Sequence, residues 1–434
     1  MHAILENPAF WALILFFIPL FFRIPVAVAL GFSAIAVTYF WDLGLQMMSY
    51  NVFANIAKYP LLSIPFFIMA GNIMEKAGIA DKIIVFIKGI VGDFTGGLAI
   101  AAIAVAVFWG AVSGSTVATV AAIGIILIPG MVKSGYDKPF STAVISVSSG
   151  LAIIVPPSIT FILYAVVSGT SVGAMFAAGF FPAFVIAGFL MGSAYLTSKK
   201  HGYRGEPRKN GIKGILKDGV NAFWALLTPV VILGGIYGGI FTPTEAAAVA
   251  CFYGLFVGIV IYRRIGWKDI YNILVETVSA SAIGMTVAAT AGLYSWVGST
   301  IGLIESAASF LISISPNQYV ILLMIYFILF IGGMFLDGTA MVFVFVPIFL
   351  PVMQRLNWNP VWFGVMMTIM VAVGTVTPPV ALNLFVGCRI SGLTMEELTP
   401  PVMPLLLALL LALVVLSIFP SITLFLPQFL GFIV

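Results

Sequence analysis

Apolar runs of about 17 residues or more, the length a helix needs to cross lipid hydrocarbon, recur from one end of this chain to the other. They place spans at 4–22, 24–41, 51–76, 94–130, 139–168, 172–197, 216–239, 244–262, 270–290, 291–314, 318–331, 332–353, 360–390 and 401–432. Only 8% of the residues are charged and 62% are apolar, with a mean hydropathy of +1.18. A water-soluble domain carries roughly 25% charged residues, so lipid is the solvent here. Strict apolar–polar alternation is absent, which argues against an outer-membrane barrel. The expected fold is an all-α polytopic membrane protein. A net charge of +4 reports topology and gives no reason to expect nucleic acid as a partner.

Basic residues orient the chain. Lys199, Lys200, Arg204, Arg208, Lys209, Lys213 and Lys217 lie in one polar stretch, 199–217, and Arg263, Arg264 and Lys268 follow two spans later. Those ten of the 19 Lys and Arg residues fall on a single face, the cytoplasmic one by the positive-inside rule. The turn at 240–244 is then external. The N-terminus has neither a basic leader nor a small-residue cleavage site, so the run Ile4–Phe22 is expected to stay as a first span.

Three long segments, 94–130, 139–168 and 360–390, are interrupted by Gly, Ser or Pro, and the interruptions repeat. Ser115-Thr116 and Gly338-Thr339 are 223 residues apart, and Pro156-Pro157 and Pro378-Pro379 are 222 apart. Ser168-Gly169 and Ser391-Gly392 keep the same offset. Three landmarks on one offset point to a duplicated unit. Duplicated halves with broken apolar segments mark the binding region of transporters.

Gly110-Ala-Val-Ser113-Gly114-Ser115-Thr116 sits mid-segment, where a re-entrant hairpin accounts for the small residues and tight helix packing is the alternative. Its carbonyls and hydroxyls suit a bare Na⁺. The strings Ala152-Ile-Ile-Val155-Pro156-Pro157-Ser158 and Gly374-Thr-Val-Thr377-Pro378-Pro379 predict discontinuous helices, because each Pro removes an N–H donor. Carbonyl ends there suit a cation, and a half-helix N-terminus suits an anion. Asp337 lies inside an apolar region, where a charged Asp costs roughly 2.5–3.5 kcal/mol. It reads either as a site residue or as the cap of a half-helix beginning at Gly338, and the offset pairs it with Gly114. Thr242-Pro243-Thr244-Glu245 reads as a capping box.

Catalytic and motor chemistry find little to stand on. The histidines are His2 and His201, Cys251 and Cys388 are isolated, and no acid shares the depth of Asp337. No G-x-x-x-x-G-K-[ST] loop occurs. The chain reads as a transporter, not an enzyme, with no organic cofactor. A membrane enzyme acting on lipid-linked substrates would need clustered acids or histidines, and a non-transporting scaffold would not need duplicated broken helices.

At FTPTEAAAVA (241–250), AVSGSTVATVAAIG (111–124), IIVPPS (153–158), GMFLDGTAM (333–341) and GTVTPP (374–379) the chain resembles the large membrane subunit of tripartite ATP-independent periplasmic (TRAP) transporters. The resemblance runs the full length. It implies two inverted repeats in an elevator fold, with a fixed scaffold and a transport domain that carries cargo. On that plan 1–76 and 218–290 are scaffold, and 77–198 is the first transport repeat, with hairpin 94–130 and broken helix 139–168. The basic loop is 199–217. The second repeat is 291–434, with hairpin 332–353, broken helix 360–390 and a C-terminal helix. The resemblance further implies at least two coupling Na⁺. One would be held near Gly110, Ser113, Ala152, Val155 and Pro157, the other near Gly333, Gly338, Gly374 and Thr377. Ala152 stands where relatives often have Gly. An organic acid (a C4-dicarboxylate, sialic acid, sugar acid or keto acid) would lie near Ser115, Thr116, Ser158 and Asp337. Glu245 is expected to act through its cap. The implied partners are a separate four-helix membrane subunit and a periplasmic substrate-binding protein, and the implied location is the bacterial inner membrane. A binding-protein-independent Na⁺/dicarboxylate carrier of the same superfamily is the rival reading.

Overall fold

The computed structural model describes residues 7–22, 24–91, 94–205 and 211–432. Of the features singled out above, His2, Arg208, Lys209 and the start of the first span at Ile4 lie outside them.

The described residues form twenty α-helices and no β-strand beyond one bridge between Thr95 and Arg204. Helices α1 (Pro8–Phe21), α2 (Val26–Phe40), α3 (Gln46–Ile56) and α4 (Ser63–Lys76) open the chain. The segment 51–76 is not one straight span: the chain bends by 61° between α3 and the stretch Tyr59–Lys76. Helix α5 (Ile79–Val91) is absent from the apolar spans because Asp81, Lys82 and Lys88 interrupt its hydropathy, yet its buried face of Ile79, Ile83, Ile84 and Ile87 packs inward. Its counterpart α14 (Leu303–Ile314) lies 224 residues later. Between the repeats run α11 (Gly211–Tyr237), α12 (Pro243–Phe256) and α13 (Trp267–Thr300). The last corrects the sequence reading: 270–290 and 291–314 are one 34-residue helix followed by the short α14, since no Pro breaks the Ser, Ala and Thr of 279–292. Helix α13 packs on α2, α3 and α4, and α12 packs on α4 and α11, which forms one body.

The two repeats form the other. Each has a helical hairpin, a helix ending at a Pro pair, a short helix after it and a long closing helix. The first contains α6 (Gly97–Ser113), α7 (Thr116–Lys133), α8 (Lys138–Ser148), α9 (Ile159–Ser168) and α10 (Val172–His201). The second contains α15 (Gln318–Gly333), α16 (Gly338–Arg355), α17 (Pro360–Thr375), α18 (Leu382–Ser391) and α19 (Met395–Ile418), with α20 (Pro420–Phe429) after a break at Phe419. The second hairpin therefore spans 318–355, and the range 332–353 covers only its tip and return arm. Both Pro pairs, Pro156-Pro157 and Pro378-Pro379, are cis. Helices α9 and α18 have 10 residues each. At 1.5 Å per residue each covers about 15 Å, half the hydrocarbon thickness.

The halves interlock. Helix α9 of the first repeat packs on α16 of the second, and α18 of the second packs on α7 of the first. One face carries Arg264 paired with Asp81, the Thr95–Arg204 bridge, and Tyr203 donating to Asp137. Burial first, and the Asp137 carboxyl next, push the Tyr203 hydroxyl up to about 12, so it stays a donor at neutral pH. The last two contacts join the base of the first hairpin to the end of α10, on the side where the basic residues cluster.

Candidate functional site

Each hairpin turns inside the protein, and each tip is built by a cap. At the first, α6 ends on Gly114 in the left-handed region, φ +59°, where a side chain would be strained. Ser115 then caps α7 by accepting from the Ala118 amide at 3.4 Å. Thr116, the first residue of α7, is buried. The Ser113 hydroxyl lies 2.7 Å from that of Thr119, a partner the sequence reading passed over although it sits inside the AVSGSTVATVAAIG string. At the second tip Asp337 caps α16. Its Oδ2 accepts from the Thr339 amide at 3.2 Å and its Oδ1 from the Ala340 amide at 3.3 Å. The capping position makes Ser115 the counterpart of Asp337, 222 residues earlier. The pairing with Gly114 is corrected: the first tip has two residues between its helices and the second has four.

The first arm of each hairpin touches its own broken helix at an equivalent point. A Cβ placed on Gly110 would stand 2.8 Å from the Ala152 Cα, and one on Gly333 would stand 2.8 Å from the Gly374 Cα. Gly110 and Gly333 are 223 apart, Ala152 and Gly374 are 222 apart, and both contacts bring backbone against backbone. Missing side chains are what permit them. Around each contact gather neutral oxygens. Pro156 lacks the N–H that would close a helical bond to the Ala152 carbonyl, and Pro378 lacks the one for the Gly374 carbonyl. The Gly374 carbonyl accepts instead from the Thr377 amide at 3.2 Å, and the Thr377 hydroxyl donates to the Val373 carbonyl at 2.7 Å. Val155 is buried, and its amide donates to the Leu151 carbonyl at 2.8 Å. A Cβ on Gly114 would meet the Pro157 carbonyl oxygen at 3.2 Å, so the first tip rests on the first Pro pair.

Ser158 is fully buried. It caps α9 through the Phe161 amide at 3.4 Å while its hydroxyl donates to the Ile153 carbonyl. At the second residue of α9, the Thr160 hydroxyl lies 3.6 Å from where a Gly338 Cβ would be. The start of α9 thus meets both tips, Gly114 from one side and Gly338 from the other. Asp337 is half-buried and lines a cavity of about 170 Å³ with Gly333, Thr375 and Ala381. Ala381 takes a positive φ of +41° at the start of α18, a position no sequence signal marked. Among the described residues no group of three or more His, Cys, Asp or Glu could hold a metal ion. A cation at either break would meet carbonyls and hydroxyls, the donor set of a weakly held monovalent ion.

Glu245 belongs elsewhere. Thr242 and Glu245 close a reciprocal capping box, with the Thr242 amide 2.8 Å from Oε2 and the Glu245 amide 3.3 Å from the Thr242 hydroxyl. That box starts α12, which packs on α4 and α11.

Residues 13–422 match the family described as Tripartite ATP-independent periplasmic transporter, DctM component. The chain belongs to that family. It is 34% identical over 426 residues to the C4-dicarboxylate TRAP transporter large permease protein DctM of Rhodobacter capsulatus, covering 94% of this chain and 96% of that one. It is 35% identical over 415 residues to the sialic acid TRAP transporter large permease protein SiaM of Vibrio cholerae, covering 95% and 97%. Identity to the isethionate TRAP transporter permease protein DctMQ of Oleidesulfovibrio alaskensis is 36% over 403 residues, and the match spans 93% of this chain but 64% of that longer one. The fold is shared with the YdaH transporter of Alcanivorax borkumensis, at a TM-score of 0.61 and 15% identity, over 87% of this chain and 89% of that one. The relatives are named as transporter permeases, and this chain is a TRAP transporter permease, not an enzyme.

Proposed function

We propose that this permease imports an organic acid across the bacterial inner membrane, driven by Na⁺, with the interlocked repeats moving as an elevator against the α1–α4 and α11–α13 body. The carrying observation is the pair of equivalent backbone contacts, Gly110 on Ala152 and Gly333 on Gly374, each beside a helix end interrupted by a Pro pair. Two such places suit two coupling ions. The first would draw on Gly110, Ser113, Ala152, Val155 and Pro157, the second on Gly333, Gly338, Gly374 and Thr377. The cargo acid would sit between the tips, against Ser115, Thr116, Ser158 and the cap at Asp337. A C4-dicarboxylate, a sialic acid and isethionate, named for the relatives, are all anions and mark the class. Partners are a separate small membrane subunit and a periplasmic binding protein that delivers cargo.

The energetics require a coupling ion. An anion entering a negative-inside cell moves uphill, and each charge moved inward is worth about 2.3 kcal/mol per 100 mV. A tenfold Na⁺ gradient adds about 1.4 kcal/mol per ion. Two Na⁺ per singly charged acid therefore drive accumulation, and one alone leaves the electrical term unused.

Proteoliposomes holding this chain and its small subunit, supplied with the loaded binding protein, should accumulate cargo only with Na⁺ outside. Equal uptake in K⁺ or choline would refute Na⁺ coupling. The chain alone with free substrate should be inactive, and full-rate uptake there would establish the binding-protein-independent carrier instead.

A further inference from the structure

A recess of about 350 Å³ opens between the two bodies, away from the tips, lined by Asn55, Lys58, Val167, Ser295, Ser299 and Gln354 among others. The positive-inside orientation puts the ends of α9 and α13 that line it, Val167 and Ser299, on the external face. Lys58 stands in the bend between α3 and Tyr59–Leu62. Its ammonium donates to the Val166 carbonyl at 3.3 Å, which leaves two of its three protons unused. Among the described residues the ion pairs are Lys76 with Glu276 and Arg264 with Asp81, so no carboxylate holds Lys58. No Asp or Glu lines the recess. Ser295 and Ser299 are four residues apart on α13 and share a face, and Gln354 adds an amide across from them. Gly292 leaves room for Asn55, since a Cβ there would stand 2.3 Å from the Asn55 Cγ.

One cation, several neutral donors and no acid make a receptor for a single carboxylate or sulfonate. The far wall is α16, the helix that begins at the Asp337 cap. Phe343, also in the lining, is six residues along it, about 9 Å of helical rise. We propose that Lys58 selects for anions at this external recess, holding the acid group of the cargo on its way to the hairpin tips. This rests on the organic-acid reading above and adds a site separate from the tips. The competing role for Lys58 is purely structural, a cation at the C-terminal carbonyls of α9.

The test reads the recess directly. In full-length protein with its small subunit in proteoliposomes, and with Cys251→Ser and Cys388→Ser as background, Ser295→Cys offers a thiol in the recess. The probes are two methanethiosulfonates, one anionic (sulfonatoethyl) and one cationic (trimethylammonioethyl). With Lys58 intact the anionic reagent should be favoured. Lys58→Gln should lower the anionic-to-cationic rate ratio about tenfold, the low end of charge focusing in a cleft, and Lys58→Arg should keep it. Melting temperatures of the Gln and Arg variants separate charge selection from helix capping. An unchanged ratio in Lys58→Gln overturns the proposal, as does a ratio that falls equally in Lys58→Arg. An unchanged ratio beside Na⁺-driven uptake of an organic acid sinks this inference alone. A tenfold fall beside a cargo found to be uncharged keeps the anion site and removes the organic-acid reading.

Discussion

Gly374→Ala is expected to abolish uptake and lower the melting temperature, whereas Ala152→Gly leaves both near wild type. The new Cβ at 374 would lie 2.6 Å from the Gly333 Cα and 2.8 Å from its carbonyl carbon and oxygen, all backbone atoms that cannot rotate away. Separating the arms costs about 1–3 kcal/mol, as for other overpacked sites. It would also move the carbonyls of the proposed second ion site. At the equivalent place in the first repeat, Ala152 already carries its methyl, and the missing side chain is that of Gly110. Removing the methyl there leaves the contact intact. Thermal unfolding of the purified protein and Na⁺-driven uptake check the pair. Wild-type uptake by Gly374→Ala would mean that the second contact is not part of the ion site.

Asp337→Ser should fold and assemble with the small subunit yet reduce uptake to below about one-tenth, the loss expected for one charged hydrogen bond of about 1.5–3 kcal/mol. Serine is the informative replacement because Ser115 already caps the other hairpin. Asp337→Asn is also expected to lose transport. Both Asp337 oxygens accept from amides, Thr339 on one and Ala340 on the other. Ser and Asn each offer one acceptor oxygen, so both variants can cap the helix and both remove the charge. Glu245→Gln should be milder, because Gln at that position still completes a capping box. Near wild-type uptake by Asp337→Ser, measured beside expression and assembly, would leave Asp337 as a cap only.

Much of the candidate site's geometry was legible in the sequence because it depends on residues with strong backbone effects. Pro156-Pro157 and Pro378-Pro379 broke their helices where the missing N–H groups required, and Thr242 and Glu245 closed the expected box. Residues without such effects were harder to place. Helix α13 was read as two spans because its length exceeds one bilayer crossing and nothing marks where the excess lies. Helix α15 was separated from its hairpin because Gly332-Gly333 looks like a boundary, yet the helix runs through Gly333 before it turns. The partner of Asp337 was misjudged by one residue, because offset counting cannot see that one tip is longer than the other. Thr119, Ala381 and the Gly110–Ala152 contact depend on which chain segments meet in space, and local pattern does not encode that.

The exchange of partners between the halves bears on how the protein is made. Helix α9 finds its packing surface on α16, and α7 finds its own on α18. A chain that has left the ribosome only as far as the basic loop therefore lacks one partner for each of two arms, although α7 already has α6 and α8, and α9, the helix that Ser158 caps, already has α10. Those last surfaces come together when residues up to about Ser391 have been inserted, more than two hundred positions after α9 ends.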